Sequence, residues 1–197
     1  MPATNVRADW TGGNLLNRPT APGGYVGRAV SDATAAGPFG AMIYDSVAAS
    51  AAVTATSTET TFDKSVTIPA TDLVAGSVVR VRAQVIATAT NSTDTLTLKL
   101  KIGGVTLVTT GAVDVANNDI GFIDATAVVR TAGASGTMVA TGLQGLGTPG
   151  TVTAKPFLMA STTLDTTAAV PVIVTAQWSS TSGGNSCRLD VLTVELF

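Results

Sequence analysis

The feature that most constrains this chain is the alternation of apolar and polar residues from about residue 51 to its end. Residues 76–89 are the clearest example, because every second position there carries a small apolar side chain: Val79, Val81, Ala83, Val85 and Ala87. The positions between them include Arg80, Arg82 and Gln84. Side chains two residues apart lie on the same face of a β-strand. The pattern therefore predicts strands with one buried face and one outer face.

Glycine-containing turns join these strands into antiparallel hairpins. Thr95–Ile102 and residues 105–110 flank the pair Gly103-Gly104, which is a strong hairpin signal. Residues 119–131 and 136–141 predict a second hairpin, and three more runs predict further strands: residues 60–69, 170–179 and 186–197. Strands this numerous must stack or close to hide their edges. We therefore predict an all-β fold, an antiparallel jelly-roll-like β-sandwich over residues 51–197.

Residues 1–50 differ from the rest and are predicted to form an extended N-terminal arm. Prolines and glycines interrupt both the helical and the strand period in this stretch. It also carries aromatic and arginine side chains of the kind that dominate interface energetics: Arg7, Trp10, Arg18, Tyr25 and Arg28. Two interpretations are open. The arm either orders against a partner surface or packs on its own domain.

The composition argues against catalysis. The chain has 0 His and 1 Cys, and only 12% of its residues are charged. Without histidine the usual nucleophile–base triads cannot form. The acid pairs Asp119 with Asp124 and Asp190 with Glu195 are what a sheet surface carries by chance. We expect a protein that is not an enzyme, has no cofactor and holds no metal.

Charge and hydropathy bear on the partners. A net charge of −2 is not the basic footprint that nucleic acid requires. No apolar run approaches the roughly 20 residues that span a bilayer, and the first ten residues contain no apolar signal segment. We expect a product of the cytoplasm that binds neither nucleic acid nor membrane. Low charge together with 45% hydrophobic residues favours self-association.

Three smaller features have plain interpretations. Cys187 lies in a strand-like run and is expected to be a small buried hydrophobe rather than a reactive or intermolecular thiol. Residues 142–150 are glycine-rich but lack the Gly-Lys-Ser/Thr ending of a phosphate loop, so they predict a flexible loop between strands. Arg80 and Arg82, with Lys99 and Lys101 on an expected neighbouring strand, form either a solvated sheet face or a contact for an acidic partner.

Several strand-forming blocks resemble a domain that is common in structural proteins of tailed bacteriophages. They begin with Ser57-Thr-Glu-Thr-Thr-Phe-Asp-Lys-Ser-Val-Thr-Ile-Pro69 and Leu73-Val-Ala-Gly-Ser-Val-Val-Arg-Val-Arg82. They continue with Asn91-Ser-Thr-Asp-Thr-Leu-Thr-Leu-Lys-Leu-Lys-Ile-Gly-Gly104, Val170-Pro-Val-Ile-Val-Thr-Ala-Gln-Trp-Ser-Ser180 and Asn185-Ser-Cys-Arg-Leu-Asp190. Together they are most similar to the capsid cement, or decoration, proteins. The resemblance covers about residues 51–197 and supplies no catalytic residues.

This resemblance implies a homotrimeric structural protein of the virion, made in the host cytoplasm, that coats the capsid and bridges major capsid subunits. On that basis the arm residues Arg7, Trp10, Arg18, Tyr25 and Arg28 become the candidate capsid-binding set. The alternative is the head domain of a phage fibre or appendage that binds host surface glycans. Such a head favours exposed aromatic platforms, and the predicted strands contain few aromatic residues.

Overall fold

The computed structural model describes residues 41–91 and 93–197. Twelve strands form two antiparallel sheets, and the described residues contain no helix. The all-β sandwich predicted from the alternating pattern is therefore confirmed. The predicted arm residues Arg7, Trp10, Arg18, Tyr25 and Arg28 lie outside the described residues.

The larger sheet has seven strands in the order β1-β12-β4-β8-β9-β10, with β2 pairing with β12 beside β1. Its members, in chain order, are β1 (Ala41–Asp45), β2 (Val53–Thr54), β4 (Val78–Thr88), β8 (Asp119–Thr131), β9 (Thr137–Gly147), β10 (Lys155–Thr163) and β12 (Ser186–Leu196).

The smaller sheet has five strands in the order β3-β11-β5-β6, with β7 pairing with β5. Its members are β3 (Thr60–Ile68), β5 (Thr95–Ile102), β6 (Val105–Thr109), β7 (Val113–Asp114) and β11 (Val170–Trp178).

The strand order is that of a jelly roll. Taking β2 as strand B of a jelly roll, β2-β12-β4-β8 reads B-I-D-G and β3-β11-β5-β6 reads C-H-E-F. The strands β9 and β10 extend the larger sheet beyond G. Successive strands β3, β4 and β5 therefore alternate between the two sheets. This alternation decides which side chains can meet.

The core lies between the two inner faces and is made mostly of Val, Ala and Leu. All five inward positions predicted for β4 are buried, as are Leu96, Leu98, Leu100 and Ile102 of β5. Trp178 is 1% exposed, and its indole N–H donates to the carbonyl of Val53 at 3.2 Å. The predicted turn at Gly103-Gly104 is present, with φ of 59° and 81° that glycine adopts without strain.

The structure departs from the sequence predictions at two segments of the chain. Ala41–Asp45, assigned to the arm, forms β1 and pairs with the last strand, so the sandwich begins before residue 51. Gly142–Gly147, predicted as part of a flexible loop, belongs to β9 and pairs with both β8 and β10. Glycine content was misleading there, because atoms of the neighbouring chain segments occupy the space above Gly142 and Gly145. The ring of Phe122, for example, lies over Gly145.

Candidate functional site

The basic row predicted from the sequence does not exist as a single surface. Arg80 and Arg82 lie on β4 of the larger sheet, whereas Lys99 and Lys101 lie on β5 of the smaller sheet. Both pairs point outward, and so they lie on opposite outer faces of the sandwich. The prediction that their strands are neighbours is wrong, because the chain crosses between the sheets after β4.

These cations are largely paired within the protein. Lys99 and Lys101 both contact the carboxylate of Glu59, and the hydroxyl of Thr175 donates to the same carboxylate at 3.0 Å. The ammonium groups of Lys101 and Lys99 lower the pKa of Glu59 to about 2. On the other face, Arg82 donates to Asp124 at 3.3 Å. The ion-pair cluster of Glu59, Lys99 and Lys101 therefore holds the segment before β3 on the sheet. The charges of the two lysines are balanced within the protein, so they do not require an acidic partner.

The acidic residues do not assemble into a catalytic pair. Asp119 begins β8 on its inner face and is 1% exposed, whereas Asp124 lies on the outer face. Asp190 is engaged by Arg188, whose Nε donates to it at 2.7 Å. No group of three or more potential metal-ligating side chains occurs within residues 41–91 and 93–197.

Cys187 is fully buried, as its pattern predicted. It lies on the inner face of β12, in register with Ala87 of β4 and Val53 of β2. Burial raises the pKa of its thiol to about 12, and the charge of Asp190 adds to the effect. The thiolate that reacts with electrophiles is therefore almost absent at neutral pH.

An apolar strip occupies the outer face of the larger sheet near β10. It consists of Leu143, Pro156 and Leu158. Leu158 is 81% exposed and Leu143 is 45% exposed. Leu143 and Pro156 are directly opposite each other on β9 and β10. The strip borders the ion pair of Arg82 and Asp124, because Asp124 is the partner of Leu143 on β8. Exposed apolar side chains grouped in this way mark interaction surfaces.

The free edge of the sheet beside this strip is poorly suited to pairing with another strand. β10 is the outermost strand, so its free edge could in principle pair with another chain. Pro156 has no N–H to offer, and the register of β10 shifts between Met159 and Thr162. Both features oppose the addition of a further strand. The face of the strip, rather than its edge, is therefore the surface available for docking.

A polar cleft opens between the sheets at the end where β9 finishes and β10 begins. Its volume is about 200 Å³, and it is lined by Thr110, Val113, Gln144, Lys155 and the turn between β9 and β10. Gln144 lies on the same inner face of β9 as Met138, Ala140 and Gly142. The core side chains on this face are otherwise apolar, so a glutamine is unexpected there. This cleft is not predicted from the sequence. The inward-facing Gln144 is the available signal, but the prediction of a loop at residues 142–150 conceals it.

Comparisons with known proteins leave the family open. No family model and no curated protein sequence matches the chain. Among solved structures, the sandwich is similar to the lectin UEA-II complexed with galactose, at 9% sequence identity and a TM-score of 0.37. That match covers 80% of this chain and 86% of the lectin chain. Likeness at this level carries no argument about function. In the part of the chain that the structure describes, no helix is long and apolar enough to cross a membrane.

Proposed function

We propose that this protein is a capsid cement, or decoration, protein of a tailed bacteriophage, and that it acts mechanically by bridging major capsid subunits. The observation that carries the proposal is the apolar strip on the outer face of the larger sheet. The core of the sandwich is complete without it, so burying Leu143 and Leu158 requires a second surface. The phage assignment itself comes from the sequence resemblance of residues 51–197.

The strip is large enough to matter energetically. Full burial of a leucine side chain contributes about 1.5–3 kcal/mol. Leu158 is almost entirely exposed and Leu143 about half exposed, so their burial on docking adds a few kcal/mol by the same rule. The buried core of an interface is more apolar than its rim, and a standard interface covers ~800 Å² per partner. The ion pair of Arg82 and Asp124 would then lie at its polar rim.

The position of the strip suits a bridging function. The chain enters the larger sheet at Ala41 on β1, at the opposite edge from β10. Five strand spacings separate β1 from β10 in the sheet order, which corresponds to roughly 24 Å. An arm that binds through Arg7, Trp10, Arg18, Tyr25 and Arg28 and a sheet face that binds through the strip would reach different neighbouring subunits.

We also propose a homotrimer as the working assembly. Low net charge and an apolar face favour association, and closed symmetry covers surface that a monomer would expose. Three linked copies raise the effective concentration of each capsid contact, so that modest individual contacts give tight overall binding.

The proposal is tested by co-sedimentation of the purified protein with its capsids. Leu158→Asp places a charge at the most exposed residue of the strip, and we expect it to weaken capsid binding at least about tenfold, or 1.4 kcal/mol. The matched control is Val74→Asp, which changes an exposed valine on the loop between β3 and β4. Circular dichroism checks that both variants keep the sheet. Equal binding of the Leu158→Asp variant and the control would contradict a role for the strip.

Deletion of residues 1–28 tests the arm separately. If the arm is the principal grip, the truncated protein folds but coats capsids much more weakly than the full chain. Undiminished binding would instead place the whole contact on the larger sheet, where Arg80 and Arg82 would be the next residues to change.

A further inference from the structure

The polar cleft contains a buried amide that has no hydrogen-bonding partner among the described residues. Gln144 is 8% exposed, and its side chain forms no hydrogen bond with any residue in 41–91 or 93–197. Its polar atoms are nevertheless not sealed off, because the one sealed and unpartnered polar atom in those ranges belongs to Asp119. The amide of Gln144 therefore opens into the cleft. Its N–H groups and carbonyl oxygen are therefore available to hydrogen-bond to water or to a bound ligand.

Lys155 adds a positive charge beside this amide. It is directly opposite Gln144 in the pairing of β9 with β10, and so the two side chains project from the same face of the sheet. Lys155 is exposed and forms no ion pair with any described residue, and no acidic residue lines the cleft. Every other lysine in the described residues is within 4.0 Å of a carboxylate. The charge of Lys155 is therefore available to pair with the negative charge of a bound ligand.

Hydroxyl groups complete the wall of the cleft. Thr110 is already engaged, because its hydroxyl accepts from the N–H of Leu98 and donates to the carbonyl of Gly111. Thr151 donates to the carbonyl of Thr148 and keeps its acceptor lone pairs free. Thr153 forms no side-chain hydrogen bond within the described part of the chain. The hydroxyl of Thr148 likewise forms no hydrogen bond with a described residue, so the cleft offers one ammonium, one amide and the three hydroxyls of Thr148, Thr151 and Thr153.

We propose that this cleft binds a small hydroxy acid, with its carboxylate held by Lys155 and the N–H groups of Gln144. The single positive charge matches one carboxylate. The carbonyl oxygen of Gln144 needs a donor, which a hydroxyl group beside the carboxylate supplies. A phosphate dianion fits less well, because it prefers several N–H donors. Its negatively charged oxygens would also lie against the carbonyl oxygen of Gln144, which would repel them. A volume of about 200 Å³ gives the room of about seven water molecules, which limits the ligand to a small molecule.

Titration calorimetry on the full-length protein tests this assignment, with glucuronate as the probe. We expect saturable binding with a Kd of about a millimolar, as few contacts produce. Glucose, which lacks the carboxylate, and inorganic phosphate are expected to bind at least about tenfold more weakly. Absence of saturable glucuronate binding would overturn the proposal, as would equal affinity for glucose or for phosphate.

Two variants locate the site. Lys155→Met removes the charge at an exposed position, and Gln144→Met replaces the amide by an apolar side chain of similar size. Each is expected to weaken glucuronate binding at least about tenfold, whereas Lys64→Met on β3 leaves it unchanged. Thermal unfolding confirms that each variant is folded. Unchanged affinity in the Lys155→Met variant, or an equal loss in the Lys64→Met variant, would place any binding elsewhere. Neither test depends on capsid binding, so the proposed function and this site can fail independently.

Discussion

The side-chain amide of Asn185 donates a 2.9 Å hydrogen bond to the carboxylate of Asp94 and so joins two loops at one end of the sandwich. Asn185 is completely buried, and its Oδ1 accepts from the backbone N–H of Thr90 at 3.1 Å. The hydroxyl of Ser180, followed by the amide of Asn185, lowers the pKa of Asp94. This network fixes the loop after β4 against the loop after β11.

Replacing Asn185 is expected to destabilise the whole domain. Asn185→Ala removes the amide that donates to the buried carboxylate of Asp94 and leaves that carboxylate with fewer partners, which costs about 2 kcal/mol. Urea denaturation measures this as a lower unfolding midpoint with an unchanged slope. Asn117→Ala, at an exposed position, is the control and is expected to change the free energy of unfolding by less than about 0.5 kcal/mol. Equal stability of the two variants would show that the network contributes nothing.

The ion-pair cluster of Glu59, Lys99 and Lys101 predicts that the stability of the fold decreases at acidic pH. The pKa of Glu59 is lowered from 4.5 to about 2 in the folded protein, so the charged carboxylate stabilises the fold at pH values above 4.5. That contribution is lost as the pH falls from 4.5 towards 2. About a quarter of this side chain is exposed, so we expect a loss of about 2 kcal/mol rather than the full value of the shift.

The variant Glu59→Gln tests this origin. It should be less stable than the parent protein at pH 7, and its stability should fall less steeply between pH 4.5 and 2. Glu195→Gln, on the other sheet and outside the cluster, should keep the pH dependence of the parent. If the Glu59→Gln variant retains the parent's full acid sensitivity, other carboxylates are responsible.

The strands could largely be predicted from the sequence, because one face of each is buried and period-2 alternation follows directly. Thr95–Ile102 and Asp119–Thr131 have the predicted bounds. Lys155–Thr163 was missed because an edge strand buries little, and its apolar residues Leu158 and Met159 do not alternate cleanly with polar ones. Which strands share a sheet could not be predicted from local pattern. The separation of Arg82 from Lys99 follows from the jelly-roll crossover, which is a property of the whole chain.

The buried thiol is expected to be inert in the native protein. Because the pKa of Cys187 is raised to about 12, a disulfide reagent at pH 8 should react with it only as fast as the protein unfolds. Addition of denaturant should release one reactive thiol per chain. A native thiol that reacts within seconds would mean that β12 opens locally.

Gly142 should tolerate no side chain. A Cβ at this position would overlap the carbonyl oxygen of Asp124 on the neighbouring strand. Gly142→Ala is therefore expected to lower the free energy of unfolding by about 2–4 kcal/mol, because the backbone must move. Gly183→Ala, where nothing lies within 4 Å, is the matched control and should stay within about 0.5 kcal/mol of the parent. A Gly142→Ala variant as stable as the control would contradict the close packing of β8 on β9.

The copy number of this chain in purified virions tests the cement function most directly. Quantitative mass spectrometry against the major capsid protein measures it. We expect hundreds of copies per particle, in a fixed ratio to the major capsid protein, because a cement protein occupies every equivalent lattice position. A handful of copies would fit the head domain of a fibre instead, and absence from the particle would contradict a structural role in the virion.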